Sequence, residues 1–264
     1  MEPTTVFALV LAVLGVAAIA WGVTAQIRHR AMAAAPTIGC GDVRDVADDT
    51  GAVTCEVKGT AGPGPGGLLK APFSGTPCLW HRTVVKRRYR ATERDSQGRS
   101  RTVTKSETVS DERSFEPFRI TDVSGEVLIY PEKAGVDRPT ESVDRFERKA
   151  AEPLPADGGF GEIALAIGAR LLDGDDTIGF EYHEWILTEG TPVYALGAAT
   201  RDLTRDAVAI RPPARGPYII STRTEEQLAG SSRIQMFAGY GLGAALLLAA
   251  AALPTVFAVH RIPL

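Results

Sequence analysis

Residues 6–25 read VFALVLAVLGVAAIAWGVTA, twenty in a row without a charge. As an α-helix this run extends about 30 Å, the thickness of a bilayer's hydrocarbon core. A cleavable signal peptide has a positive n-region and a shorter apolar core. Here Met1 to Thr5 offers only Glu2, and the apolar run continues through Trp21 without a cleavage-type exit, so the segment reads as an anchor. A second run, residues 234–259, is broken only by Gln235 and by mild polar groups such as Tyr240 and Thr255, which a helix in lipid accepts. Core helices of soluble proteins seldom hold more than about fifteen apolar residues without a polar stripe. Both runs therefore predict transmembrane helices.

Between the two runs, from Gln26 to Arg233, fall 28 of the 29 Lys and Arg residues. The mean hydropathy of −0.01 is thus an average of two apolar ends and one polar middle. The expected fold class is a membrane protein with two transmembrane helices, 6–25 and 234–259, flanking one mainly-β (α+β) soluble domain over residues 31–232. Basic residues cluster on the inner flanks: Arg28, Arg30 and Arg44 follow the first helix, and Arg215, Arg223 and Arg233 precede the second. Only Arg261 lies beyond the outer ends. The positive-inside rule then places the soluble domain in the cytoplasm and both termini outside. Three cysteines, Cys40, Cys55 and Cys78, cannot all pair within one chain, which favours a reducing compartment. A Cys40–Cys55 disulfide stays open at this level.

Within the soluble domain, the GPGPGG stretch at 62–67 predicts a turn. Strand patterns of alternating or β-branched residues cover 54–60, 79–91, 101–109, 115–122, 126–130, 180–187, 191–198, 207–211 and 218–221. Residues 161–172 read as a helix, and Thr222 with Glu225 forms a capping-box pattern ahead of the second anchor.

Chemistry-bearing motifs are sparse. The chain has four histidines, His29, His81, His183 and His260, two of them at membrane ends. Cys78 and His81 have the spacing of half a zinc site, but no second Cys/His pair follows. His183 and Glu184 in FEYHEW open like a zinc-protease helix, yet Leu187 stands where the second His belongs. The glycine-rich stretch lacks the Gly-Lys-Ser/Thr ending of a phosphate loop. The sequence thus predicts no catalytic residues, no metal ligands, no cofactor and no nucleotide site.

The outstanding charge feature runs from Arg82 to Lys105, where nine Lys or Arg residues oppose only Glu93 and Asp95, a local net of +7 in a chain of net −3. Its centre, ERDSQGRS, is turn-like, which predicts a basic hairpin. Lys86, Arg87, Arg88 and Arg90 are the expected contacts to anionic lipid or to an acidic protein partner. Nucleic acid is not an expected partner, because Tyr89 is the only interleaved aromatic. In the second anchor, Gly239 and Gly243 form a small-xxx-small pair for close helix packing, against the first helix or a second copy. Two apolar spans with one edge glutamine, Gln235, do not suit a transporter.

Four blocks carry a family resemblance: LKAPFSGTPCLWHRTVV from Leu69, FEPFRITDVSGEVLIYP from Phe115, EWILTEGTPVYALGAA from Glu184 and VAIRPPARGPYIISTRTEEQLAGSSR from Val208. In this order between two anchors they resemble the GIDE family of membrane-anchored ubiquitin ligases, the mitochondrial ubiquitin ligase activator of NF-κB, and its prokaryotic relatives. The resemblance implies a "beside a membrane" domain in a prokaryotic cell membrane. It makes Asp122 and Gly125 turn residues between two strands, and likewise Gly190 and Pro192. Eukaryotic members carry a RING finger with eight zinc ligands after the second helix. Only His260 to Leu264 follow here, so the expectation is a member with the RING absent and no ligase residue carried over. The function expected is a membrane-anchored, non-catalytic scaffold or regulator that binds lipid or an envelope protein. The alternative is an E3 ubiquitin ligase-like protein working with a separate catalytic partner.

The orientation is tested with single cysteines at Thr4 and at Ser96, labelled in intact cells by an impermeant thiol reagent. Thr4→Cys labels and Ser96→Cys does not; the reverse pattern rejects the cytoplasmic placement.

Overall fold

The computed structural model of the chain describes residues 3–48, 53–132, 134–148, 176–202 and 205–259. Its helices are α1 (Pro3–Ala34), the single turn α2 (Val43–Val46) and α3 (Glu225–Val259). Between α2 and α3 run β1 (Thr54–Gly62), β2 (Leu69–Lys70), β3 (Pro77–Cys78), β4 (Trp80–Arg94), β5 (Ser100–Arg113), β6 (Phe118–Thr121), β7 (Glu126–Ile129), β8 (Val136–Asp137), β9 (Thr140–Arg148), β10 (Thr177–Leu187), β11 (Pro192–Asp202), β12 (Ala207–Arg211) and β13 (Ile219–Ser221). The helix expected at 161–172 lies outside the described residues.

α1 and α3 pack together as an antiparallel pair and are each long and apolar enough to cross a membrane. Their contact is made by glycines. A Cβ added to Gly239 would stand 2.7 Å from Gly22 Cα, and one on Gly243 would stand 2.9 Å from the Gly15 carbonyl oxygen. The face formed by Gly239 and Gly243 is therefore turned toward α1. Tyr240 donates a 2.7 Å hydrogen bond to Gln26 across the pair. This register sets the apolar run of α1 level with that of α3. Most of the pair's apolar surface is uncovered, with Val13 61% and Leu248 72% exposed. Each helix extends about nine residues, roughly 13 Å, past its apolar run toward the domain.

Among the described residues the domain contains two larger sheets and a two-stranded pairing of β2 with β3. β1 pairs with both β6 and β11, so β1-β6-β7-β12-β11 closes into a five-stranded barrel, with β13 and β8 continuing from β11. Alternation sorts its residues. Cys55, Val57, Ile120, Val127, Ile129, Val193, Ala195, Ile210 and Trp80 fill the interior, whereas Tyr194, Leu196 and Ile219 point outward onto Met32 of α1 and Leu228 of α3. The smaller sheet has the order β5-β4-β10-β9. β9 was not anticipated, because TESVDRFER puts charged residues on both faces and is an exposed edge strand.

The helices join the barrel without slack. Directly after α1, Glu56 of β1 exchanges backbone hydrogen bonds with Pro36 and Ile38. The Glu56 carboxylate, 1% exposed, accepts hydrogen bonds from the Thr37 hydroxyl and, at 2.8 Å, from the Tyr194 hydroxyl. Lys58 bridges Glu56, 3.4 Å away, to Glu225 in the first turn of α3. The capping box sits two residues later than expected: Thr224 and Gln227 exchange side chain to backbone bonds of 3.4 and 3.3 Å. Thr222 instead donates its hydroxyl to the Arg138 carbonyl at 2.6 Å.

The predicted turns form. In the β6–β7 turn, Asp122 accepts bonds from the Ser124 amide at 2.8 Å and from the Cys40 amide at 2.9 Å. Gly125 (φ +151°) abuts Gly41, where a Cβ would meet Gly41 Cα at 2.9 Å. Gly190 (φ +80°) closes the turn into β11. Partial desolvation raises the Asp122 pKa, but the hydrogen bonds from Ser124 and Cys40 outweigh it and hold the group at about 2. Its stabilisation is complete above the unfolded value near 4 and is lost as pH falls toward 2. Asp122→Ala is expected to cost about 1 kcal/mol at pH 7 after allowance for screening. In unfolding experiments on detergent-solubilised chain, that difference should shrink between pH 4 and 2; a pH-independent difference rejects the account.

Candidate functional site

The basic hairpin exists as β4 and β5, joined by a turn in which Asp95 accepts the amides of Gln97 at 2.9 Å and Arg99 at 2.8 Å. The strands continue past Lys105 into acidic residues. Glu107, Asp111 and Glu112, with Arg113, reduce the arm's local +7 to +5. Cross-strand pairing then neutralises part of the remainder: Arg82 with Asp111 at 2.7 Å, Arg87 with Glu107 at 3.1 Å, Arg88 with Glu181 at 3.4 Å and Lys105 with Glu93 at 2.7 Å.

Strand alternation divides the four sequence-predicted contacts. Lys86, Arg88 and Arg90 share one face of β4 with Arg82, while Arg87 is on the opposite face with Val85 and Tyr89. Arg87 stacks on Tyr89 at 5.1 Å. Among the described residues, Lys86 and Arg90 have no ion-pair partner. The outward face of the sheet also carries Trp185 and His183, stacked with ring centroids 5.6 Å apart, and Phe146. Arg82 lies over Trp185 at 5.7 Å, and Arg88 over Phe146 at 5.2 Å. This half-exposed face combines guanidinium groups with aromatic rings, a composition suited to anionic or π-rich partners.

The same face contains one set of residues able to hold a cation. Glu141, Asp144 and His183 present ligand atoms within 4.8 Å of one another, with His183 Nδ1 3.3 Å from Asp144 Oδ1. Linear Cys/His spacing could not show this set, because it comes from two strands paired in space. The Cys78–His81 spacing leads elsewhere. Cys78 and the other two cysteines are free and buried. Burial, reinforced by Asp122 at Cys40, by Glu56 at Cys55 and by Glu184 at Cys78, raises Cys40 to about 12 and Cys55 and Cys78 to about 11. These thiols are not thiolates at neutral pH, and the Cys40–Cys55 disulfide left open by the sequence is not formed.

The inward face of the sheet is organised by Glu184, which is completely buried. Its carboxylate accepts the Phe73 amide at 2.6 Å, the Ser74 amide at 3.1 Å and the Ser142 hydroxyl at 2.7 Å. A bulge in β9 leaves Ser142 without a register partner on β10 and allows its hydroxyl to reach Glu184. The carboxylate thereby pins the KAPFSGT turn to the sheet. At the junction, a cleft lined by Lys58, Tyr194, Arg223, Glu225 and Glu226 has its two basic groups already paired, Lys58 with Glu225 and Arg223 with Asp137.

Glu184→Ala should destabilise the detergent-solubilised chain by about 3 kcal/mol, since it orphans two amides and a hydroxyl. Glu184→Gln, which keeps acceptor oxygen, should cost less. Proteolysis near Phe73 should accelerate in the alanine variant, and equal stability of all three proteins rejects the pinning role.

Among curated proteins and solved structures, none matches the chain. A family model described as "GIDE: E3 Ubiquitin ligase" matches residues 88–252. The matched segment covers more than half of the chain, from within β4 through the barrel strands β6, β7, β11 and β12 and the adjoining β13 into α3. On that span the chain belongs to the GIDE family.

Proposed function

We propose that this chain is a membrane-anchored, non-catalytic scaffold or regulatory member of its family. In this reading α1 and α3 span a prokaryotic cell membrane, and the barrel and arm stand beside the bilayer on the cytoplasmic side. The observation that carries it is the helix register. Gly22 against Gly239 and Gly15 against Gly243 set two apolar runs level, and the basic Arg28, Arg30 and Arg233 gather at the end facing the domain. The uncovered apolar surface of the pair supports lipid as its surroundings.

The basic arm is the proposed contact surface, with Lys86, Arg88 and Arg90 directed toward anionic headgroups or an acidic envelope protein. Each basic residue held at an anionic surface contributes up to about 1 kcal/mol. Screening over roughly 8 Å limits the sum to residues that approach the surface together, which the shared face of these three permits. A second reading, an E3 ubiquitin ligase-like protein acting with a separate catalytic chain, is favoured by the family's description.

The test uses the full chain in phosphatidylcholine nanodiscs mixed with sedimenting vesicles, either neutral or containing phosphatidylserine. Parent protein captures the anionic vesicles at low salt. The triple substitution Lys86→Gln, Arg88→Gln, Arg90→Gln removes most of that capture, whereas Arg87→Gln leaves it nearly intact. No preference for anionic vesicles, or an unaffected triple variant, rejects the lipid contact.

A further inference from the structure

β5 is an edge strand. It pairs with β4 on one side, and among the described residues nothing pairs with its other side. From Ser100 to Thr108 its ladder with β4 is unbroken, and every residue in that stretch except the half-buried Val103 is exposed. A long exposed edge with free backbone donors and acceptors is a template for another strand unless its side chains forbid pairing. Here the side chains specify a partner.

We infer that β5 pairs antiparallel with β5 of a second copy of this chain, about a two-fold axis through Ser106. In that register Ser106 faces Ser106, Thr104 faces Thr108, Val103 faces Val109 and Lys105 faces Glu107. The faces agree. Opposite β4, Lys105 and Glu107 occupy the side of Tyr89 and Arg87, and Thr104, Ser106 and Thr108 occupy the side of Arg90, Arg88 and Lys86. A two-fold perpendicular to the sheet preserves those sides, so like faces meet like.

The charges extend an existing pattern. Lys105 already bonds Glu93 at 2.7 Å, and Glu107 already bonds Arg87 at 3.1 Å. Across the two-fold, the order becomes Glu93, Lys105, partner Glu107, partner Arg87, alternating in sign over four strands. Sliding the register to the next face-preserving position in either direction sets Lys105 against Lys105 or Glu107 against Glu107, which is repulsive. The ladder irregularity beside Val109 ends the regular segment at its base. The same charges that would discourage an arbitrary hydrophobic strand thus select another β5. Confinement of both copies to one membrane raises their effective concentration and favours such an edge contact.

The test uses the full chain in membranes oxidised with copper phenanthroline, since Cys40, Cys55 and Cys78 are buried. Ser106→Cys should form a covalent dimer. Thr102→Cys, whose copies would lie about 27 Å apart in this register, should not. A mixture of Thr104→Cys and Thr108→Cys chains should crosslink, although neither does alone. Non-covalent dimerisation, read by energy transfer between labelled chains in lipid, should weaken about five- to tenfold for Lys105→Glu or Glu107→Lys and recover in the double exchange. Unchanged circular dichroism of the single variants shows that they fold, so their loss of dimer reports the charge pairing. Absence of the Ser106→Cys dimer, equal crosslinking of Thr102→Cys, or failure of the double exchange to recover overturns the proposal.

Discussion

The carboxylate of Glu56 is the point on which the arrangement of helices and barrel depends. A buried carboxylate is tolerated only when its oxygens are satisfied. Those that satisfy it come from every element that must meet at the junction: Thr37 directly after α1, Tyr194 on β11, and Lys58, which carries the link on to Glu225 in α3. Burial and the hydrogen bond to Glu56 both raise the Tyr194 pKa, so the phenol remains a donor throughout the physiological range. Around this polar node, Met32, Leu196, Ile219 and Leu228 exclude water. The helix pair and the barrel are consequently joined by direct contacts rather than by a tether.

The smaller sheet extends from that body and separates two kinds of work between its faces. The inward face, with Glu184, Phe73, Val85, Phe180 and Tyr182, ties the sheet to the rest of the domain. The outward face carries arginines over aromatic rings and remains half exposed. This division follows from strand alternation alone, and it explains how Arg87 and Arg88, adjacent in sequence, come to serve opposite faces.

Much of this was legible in the sequence where the signal is local. The two apolar runs, the period-two strands, and the turns at Asp122–Gly125 and Gly190–Pro192 all depend on residues within a few positions of each other. The Thr222–Glu225 cap was displaced because TRTEEQ contains two overlapping cap patterns, and contact with Arg138 decides between them. The arm's charge was overstated because its compensating acids, Glu107, Asp111 and Glu181, become neighbours only through strand pairing. The role of Glu184 was not legible, since nothing local announces that the KAPFSGT turn will cover it. The Glu141, Asp144 and His183 set was hidden for the same reason, together with the unforeseen strand β9.

The absence of slack at the end of α1 has a mechanical consequence. A helix pair meeting a bilayer thinner than its apolar length accommodates the mismatch by tilting. With backbone bonds from Glu56 seizing the chain within two to four residues of Ala34, no joint absorbs that rotation. In the proposed membrane setting the barrel would turn with the pair, and the far end of the β4–β5 arm would sweep through an arc in proportion to its distance from the pivot. The arm would then act as a lever that converts a tilt of the pair into a change in where the charged tip rests.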